Sequence, residues 1–108
     1  AACLMVKKED YNKVNGFNEE LAVEFNDVDF CLKLKDSGLR NIYLPQVELY
    51  HYESISRGHP HKTKKSFQQH VHDVNLFKTR WQAYIDHDSC YSPHLTMIFT
   101  DFRLRVND

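Results

Sequence analysis

Two aspartates one residue apart, Asp27 and Asp29, stand in the stretch "VEFNDVDFCLKL", with Glu24 just upstream and an apolar, helix-like run after them. Carboxylates at this spacing serve one of two ends. In the first turn of a helix they are stabilised by the positive end of the macrodipole. Placed for chemistry, one of them takes a proton as a general base, or both ligate a cation. A lone D-x-D is matched by any two surface acids, so the structural reading is the default. Against it, two carboxylates close to Glu24 repel each other, and a cap needs only one acceptor. Asn26 is a capping residue type, and Asp29 follows three residues later, where a carboxylate reaches back to the cap.

Other groups with chemical potential are less organised. His51 lies among aromatics in "ELYHYES", and a single histidine more often packs than ligates. His59/His61 and His70/His72 form two H-x-H pairs that could bind zinc. On a helix, however, residues two apart point to different sides, so His70 and His72 do not readily share a metal. The stretch "SRGHPHKTKK" offers positive charge to an anionic ligand, or is simply a solvated loop. It lacks the interleaved aromatics of a single-stranded nucleic-acid site. No Gly-rich phosphate loop or Ser/His/Asp set is present.

The elements that must position these groups follow from periodicity. Residues 3–8 read as a buried strand. "KEDYNKVNGF" reads as a short helix ended by Gly16, and a second helix from Asn26 ends at "DSGLR" with Gly38 in the left-handed position. Val28, Cys31, Leu32 and Lys35 fall on one side of that helix, and Phe30 and Leu34 extend its apolar face. "NIYLPQVELYHYE" alternates like a strand broken at Pro45. Phe67, Val71, Val74, Phe77, Trp81, Tyr84 and Ile85 follow helical spacing, the clearest periodicity in the chain. The tail from Asp86 reads as irregular.

The chain has 108 residues, enough for one small core, and 42% hydrophobic content, which argues for a folded protein. Fourteen basic against fifteen acidic residues give a net charge of -1, with no global attraction to nucleic acid. Cys3, Cys31 and Cys90 are odd in number and far apart, as in reduced cytosolic proteins. No run reaches the roughly 18 apolar residues of a membrane span. The opening "AACLMVKK" enters a strand-like run directly, which suggests a piece of a longer protein with an incomplete core.

The order of "ACLMVKKEDYNKVNGFNEEL", "FNDVDFCLKLKDSG" and "IYLPQVELYHYESISRG" resembles the acceptor-side half of a family-2 glycosyltransferase of the bacterial polysaccharide and rhamnosyltransferase kind. "RWQAYIDHDSCYSPHLT" resembles the C-terminal extension of that subgroup. The resemblance implies an α/β fold, a partial GT-A (Rossmann-like) half with a few strands, the helix after the motif and a long C-terminal helix. It divides the chain into 1–61, the C-terminal half of the transferase domain, and 62–108, a helical extension. It implies that Asp27 is the general base of an "xED"-like motif, with Asn26 where many members carry Glu, and that Asp29 and Asn26 cap or support it. His51 matches a histidine that joins an upstream D-x-D in holding divalent Mn or Mg. Ser56, Arg57 and Gly58 match a segment that closes near the donor diphosphate. The implied partners are a nucleotide-sugar donor and a glycan or lipid-linked acceptor, in the cytoplasm or at the inner face of the membrane. By the same reading the isolated piece is inactive and self-associates through its uncovered strand. The competing expectations are a non-catalytic metal- or polyanion-binding module, or a degenerate transferase domain kept for assembly.

Overall fold

Among the described residues the order of elements is three helices: α1 (Lys8–Lys13), α2 (Asn26–Asp36) and α3 (Lys64–Asp86). The structure, a computed structural model, describes residues 3–52 and 63–106.

Helix α1 is barely two turns long, with Glu9 and Asp10 at its positive end and Lys13 at its negative end. It stops where Asn15 and Gly16 take left-handed backbone angles, φ 57° and 60°. The Gly16 N–H donates to the Tyr11 carbonyl at 2.9 Å. This tight reversal delivers Phe17 onto Tyr11 and Phe30, with ring centroids 5.9 Å and 4.7 Å from Phe17. A side chain at position 16 would meet the Tyr11 ring, since a Cβ there falls 2.5 Å from its atoms. Glycine is therefore required twice over, by conformation and by space.

Helix α2 ends as its sequence forecasts. Gly38 is left-handed, its N–H bonds the Lys35 carbonyl at 3.0 Å, and the Leu39 N–H bonds the Leu34 carbonyl at 3.1 Å. These are the paired bonds of a Schellman motif, and they satisfy the last carbonyls of the helix. Its start differs from expectation. The N-cap is Phe25, left-handed at φ 62°, and Asn26 is already helical with no capping hydrogen bond from a side chain. Asp29 does not reach back to the cap either; it turns inward and is buried.

Helix α3 starts at a capping box in which Thr63 and Ser66 exchange side-chain and backbone bonds. The periodic stripe is helical as expected, and its apolar burial is deepest towards its end. Phe67 and Val71 are exposed, whereas Trp81 is buried. The backbone leaves helical angles at Trp81 (φ -116°, ψ 19°). Two residues earlier the Thr79 hydroxyl donates to the Asn75 carbonyl at 2.8 Å, a back-bond that favours bending.

The expected α/β half-fold is not what forms. The only β pairing among the described residues is a single antiparallel bridge, Leu95 to Leu104, in the otherwise irregular tail. Residues 3–7 and 39–52 form no helix and join no ladder, and a turn falls at Pro45–Gln46. A strand is defined by the neighbour that accepts from its N–H groups and donates to its C=O groups, and no described segment provides one here. The alternating side chains are accordingly exposed, Tyr43 by 86% and Tyr50 by 93%. The apolar core of the described residues is small: Leu21, Phe30, Leu34 and Trp81.

Replacing Gly16 by alanine should lower stability by about 1–2 kcal/mol from the left-handed backbone alone, and more if Tyr11 cannot move aside. A thermal melt of G16A beside wild type checks this; an unchanged midpoint would mean the α1 reversal relaxes freely.

Candidate functional site

The two aspartates of the opening motif have separate fates. Successive residues of a helix are turned by about 100°, so positions two apart face nearly opposite ways. Asp29 points into the protein and is fully buried. Its Oδ1 accepts the indole N–H of Trp81 at 2.8 Å and lies 3.5 Å from Arg80 Nη1. Its Oδ2 lies 3.9 Å from Lys33 Nζ, one helical turn on, and accepts no hydrogen bond. Lys33 also donates to the Gly16 carbonyl, which ties α2 to the α1 reversal. Burial pushes the Lys33 ammonium below its usual range, and the Asp29 carboxylate opposes that shift.

Asp27 remains partly accessible on the first turn, with its Oδ1 accepting the N–H of Val28 at 2.9 Å. A carboxylate there is held at the positive end of α2 and can be approached from outside. Chemically it can accept a proton from a hydroxyl brought against it.

The segment that leads into α2 is held from α3. Asp73, fully buried, accepts the backbone N–H groups of Val23 and Glu24 on one oxygen at 3.2 and 3.0 Å. Its other oxygen takes the Gln69 amide at 2.7 Å. His70 Nδ1 pairs with the Glu24 carboxylate at 2.7 Å, and the ring of Phe77 stacks on that of Phe25 with centroids 5.0 Å apart. His70 is thus engaged with Glu24, and the H-x-H reading of His70 and His72 loses one of its members to a structural pair.

His51 lies exposed outside any helix or strand, flanked by Tyr50 and Tyr52, whose rings stack 6.5 Å apart. Among the described residues no group of three His, Cys, Asp or Glu side chains is arranged to hold a metal ion. Ser56, Arg57 and Gly58 fall outside the described residues. Cys31 is a poor nucleophile candidate, because burial pushes its thiol up and disfavours the thiolate.

Reading the sequence missed Asp73 and the inward turn of Asp29. A signal for Asp73 was present: it stands at i−4 from Phe77 and i−8 from Trp81, an acid on the apolar stripe itself, which demands polar partners. For Asp29 the signal was Lys33 at i+4 beside the apolar Phe30.

No protein-family model matches the chain, and no solved structure matches it. Curated proteins do. The chain is 42% identical over 105 residues to an uncharacterized protein of Sinorhizobium fredii, covering 96% of this chain and 11% of that protein. It is 31% identical over 107 residues to the O-antigen biosynthesis protein RfbC of Myxococcus xanthus, covering 97% of this chain and 8% of that protein. It is 32% identical over 57 residues to the N-acetylglucosaminyl-diphospho-decaprenol L-rhamnosyltransferase of Mycobacterium tuberculosis, covering 53% of this chain and 19% of that enzyme. The chain therefore spans about a tenth of the length of the first two relatives, and its relationship to glycosyltransferases of polysaccharide synthesis is distant and partial. No helix among the described residues is long and apolar enough to cross a membrane.

Removing the Asp29 carboxylate as alanine leaves the Trp81 N–H and Lys33 without their buried partner. Breaking such a pair typically costs about 3–5 kcal/mol, whereas Asp27→Ala at the partly accessible helix start should cost about 0.3–1 kcal/mol. Denaturant melts of the two variants should therefore separate widely; equal losses would mean that the two aspartates share one role.

Proposed function

We propose that this chain is part of an inverting glycosyltransferase of bacterial polysaccharide synthesis, and that Asp27 is its general base. One observation carries the assignment of the residue: of the two motif aspartates, Asp29 is consumed by Trp81, Arg80 and Lys33 inside the protein, while Asp27 stays partly accessible at a helix N-terminus. The names of the relatives support the class, since one acts in O-antigen synthesis and another transfers L-rhamnose.

In this reading the acceptor hydroxyl lies against the Asp27 carboxylate, which takes its proton as the oxygen attacks the anomeric carbon of a nucleotide sugar. The bond from that carbon to the diphosphate breaks on the opposite face, and the configuration inverts. The N-terminus of α2 places the positive end of the helix dipole at this carboxylate, which accepts the proton. Ser56, Arg57 and Gly58 are our candidates for contact with the departing diphosphate. A divalent ion, Mn or Mg, would supply charge neutralisation for that leaving group when bound. The described residues do not compose a site for it; His51 is proposed as a ligand that this chain contributes. We also propose that the isolated chain self-associates, which the 94% exposure of Met5 supports.

In the full-length protein, Asp27→Asn should leave nucleotide-sugar binding intact while lowering turnover by about 10²–10⁴-fold. Sugar transfer and donor binding measured on the same preparation test this. Near-wild-type turnover would reduce Asp27 to a helix-terminal acid.

A further inference from the structure

The α3 contacts onto the segment around Asp27 all come from one face of that helix. His70, Asp73, Phe77 and Trp81 are spaced by three or four residues, and they meet the Glu24 carboxylate, the Val23 and Glu24 amides, Phe25 and Asp29 in turn; Arg80, next to Trp81, also reaches Asp29. Asp27 lies between the held points. We infer that α3 is the positioning element for Asp27, with Asp73 fixing the backbone before it and Trp81 fixing the helix after it.

The physical need is visible on both sides. Before Asp27, Phe25 holds φ 62°, a conformation that a bulky residue with a Cβ adopts rarely and keeps only when its surroundings over-determine it. Asp73 supplies that constraint by accepting two consecutive N–H groups on one carboxylate oxygen, and Phe77 adds a stacked ring. After Asp27, the bond from the Trp81 indole to Asp29 fixes the rotation of α2 about its own axis. Because adjacent side chains on a helix are related by a set angle, fixing Asp29 inward fixes the direction of Asp27. Neither Asp73 nor Trp81 needs to touch a substrate for this to matter: a shift of about 1 Å at a reacting group can cost on the order of 10²-fold in rate.

The inference rests on Asp27 being the general base, and the test separates the two. In the full-length protein, with the radiolabelled nucleoside diphosphate sugar it turns over from a panel that includes the L-rhamnose donor, Asp73→Ala and Trp81→Phe should each lower kcat by roughly 10- to 100-fold with KM within about threefold. Asp73→Asn should recover most of that loss, because its amide oxygen still accepts the Val23 and Glu24 N–H groups. In an Asp27→Asn background the Asp73→Ala and Trp81→Phe losses should vanish, since a positioning residue has nothing left to position. Amide hydrogen exchange gives an arm that needs no substrate: both variants should exchange faster across Val23–Asp29 and unchanged across 91–106. If Asp73→Ala fails to fold, Trp81→Phe and Asp73→Asn carry the comparison. Full additional losses on top of Asp27→Asn, a wild-type kcat in both folded variants, or unaltered exchange across Val23–Asp29 would overturn the inference. Wild-type turnover in Asp27→Asn alone would instead overturn the base assignment, and the positioning role with it.

Discussion

A carboxylate with no exposed surface must be compensated where it lies, and Asp29 is compensated by a tryptophan. The indole N–H donates and cannot accept, so the contact has one polarity and one geometry. Arg80 and Lys33 add positive charge at 3.5 and 3.9 Å, which offsets the cost of taking the carboxylate out of water. Around this contact the small core assembles, with Phe30 on the next position of α2 and Leu34 one turn on. Trp81 itself is where α3 departs from helical angles. The helix bends at the residue that reaches Asp29.

A second buried carboxylate repeats the device with backbone partners. Asp73 satisfies two N–H groups that precede α2, groups that no strand or helix ladder would otherwise pair. Between the two buried acids, the long helix holds the entry and first turn of the short one. With so few buried apolar side chains, directional polar contacts carry much of the specification of this region.

Much of this was legible where the chemistry is local. Gly16 and Gly38 announce left-handed helix ends because few other residues take that conformation cheaply, and the helical spacing from Phe67 to Ile85 does appear as α3. What could not be read is what depends on a partner distant in sequence. Asp29 offers the same letters whether it caps its own helix or meets an indole 52 residues away. Asp73 looks like one more charge among the basic residues around it until Val23 and Glu24 are brought to it. The alternation in 42–52 is a statement about side chains, and without a neighbouring strand among the described residues it yields exposed chain rather than a sheet. The division between Asp27 and Asp29, the point on which the functional reading turns, belongs to this second kind.

The contact at the centre of this account can be watched directly, because the chain has one tryptophan. The single indole N–H resonance of Trp81 in a proton–nitrogen correlation spectrum reports on its bond to Asp29. The account predicts that this proton exchanges slowly with solvent in the wild type, that it is shifted and loses its protection in Asp29→Ala, and that it is unaffected in Asp27→Asn. An indole proton that exchanges rapidly in the wild type, or one that responds to Asp27→Asn as strongly as to Asp29→Ala, would contradict it.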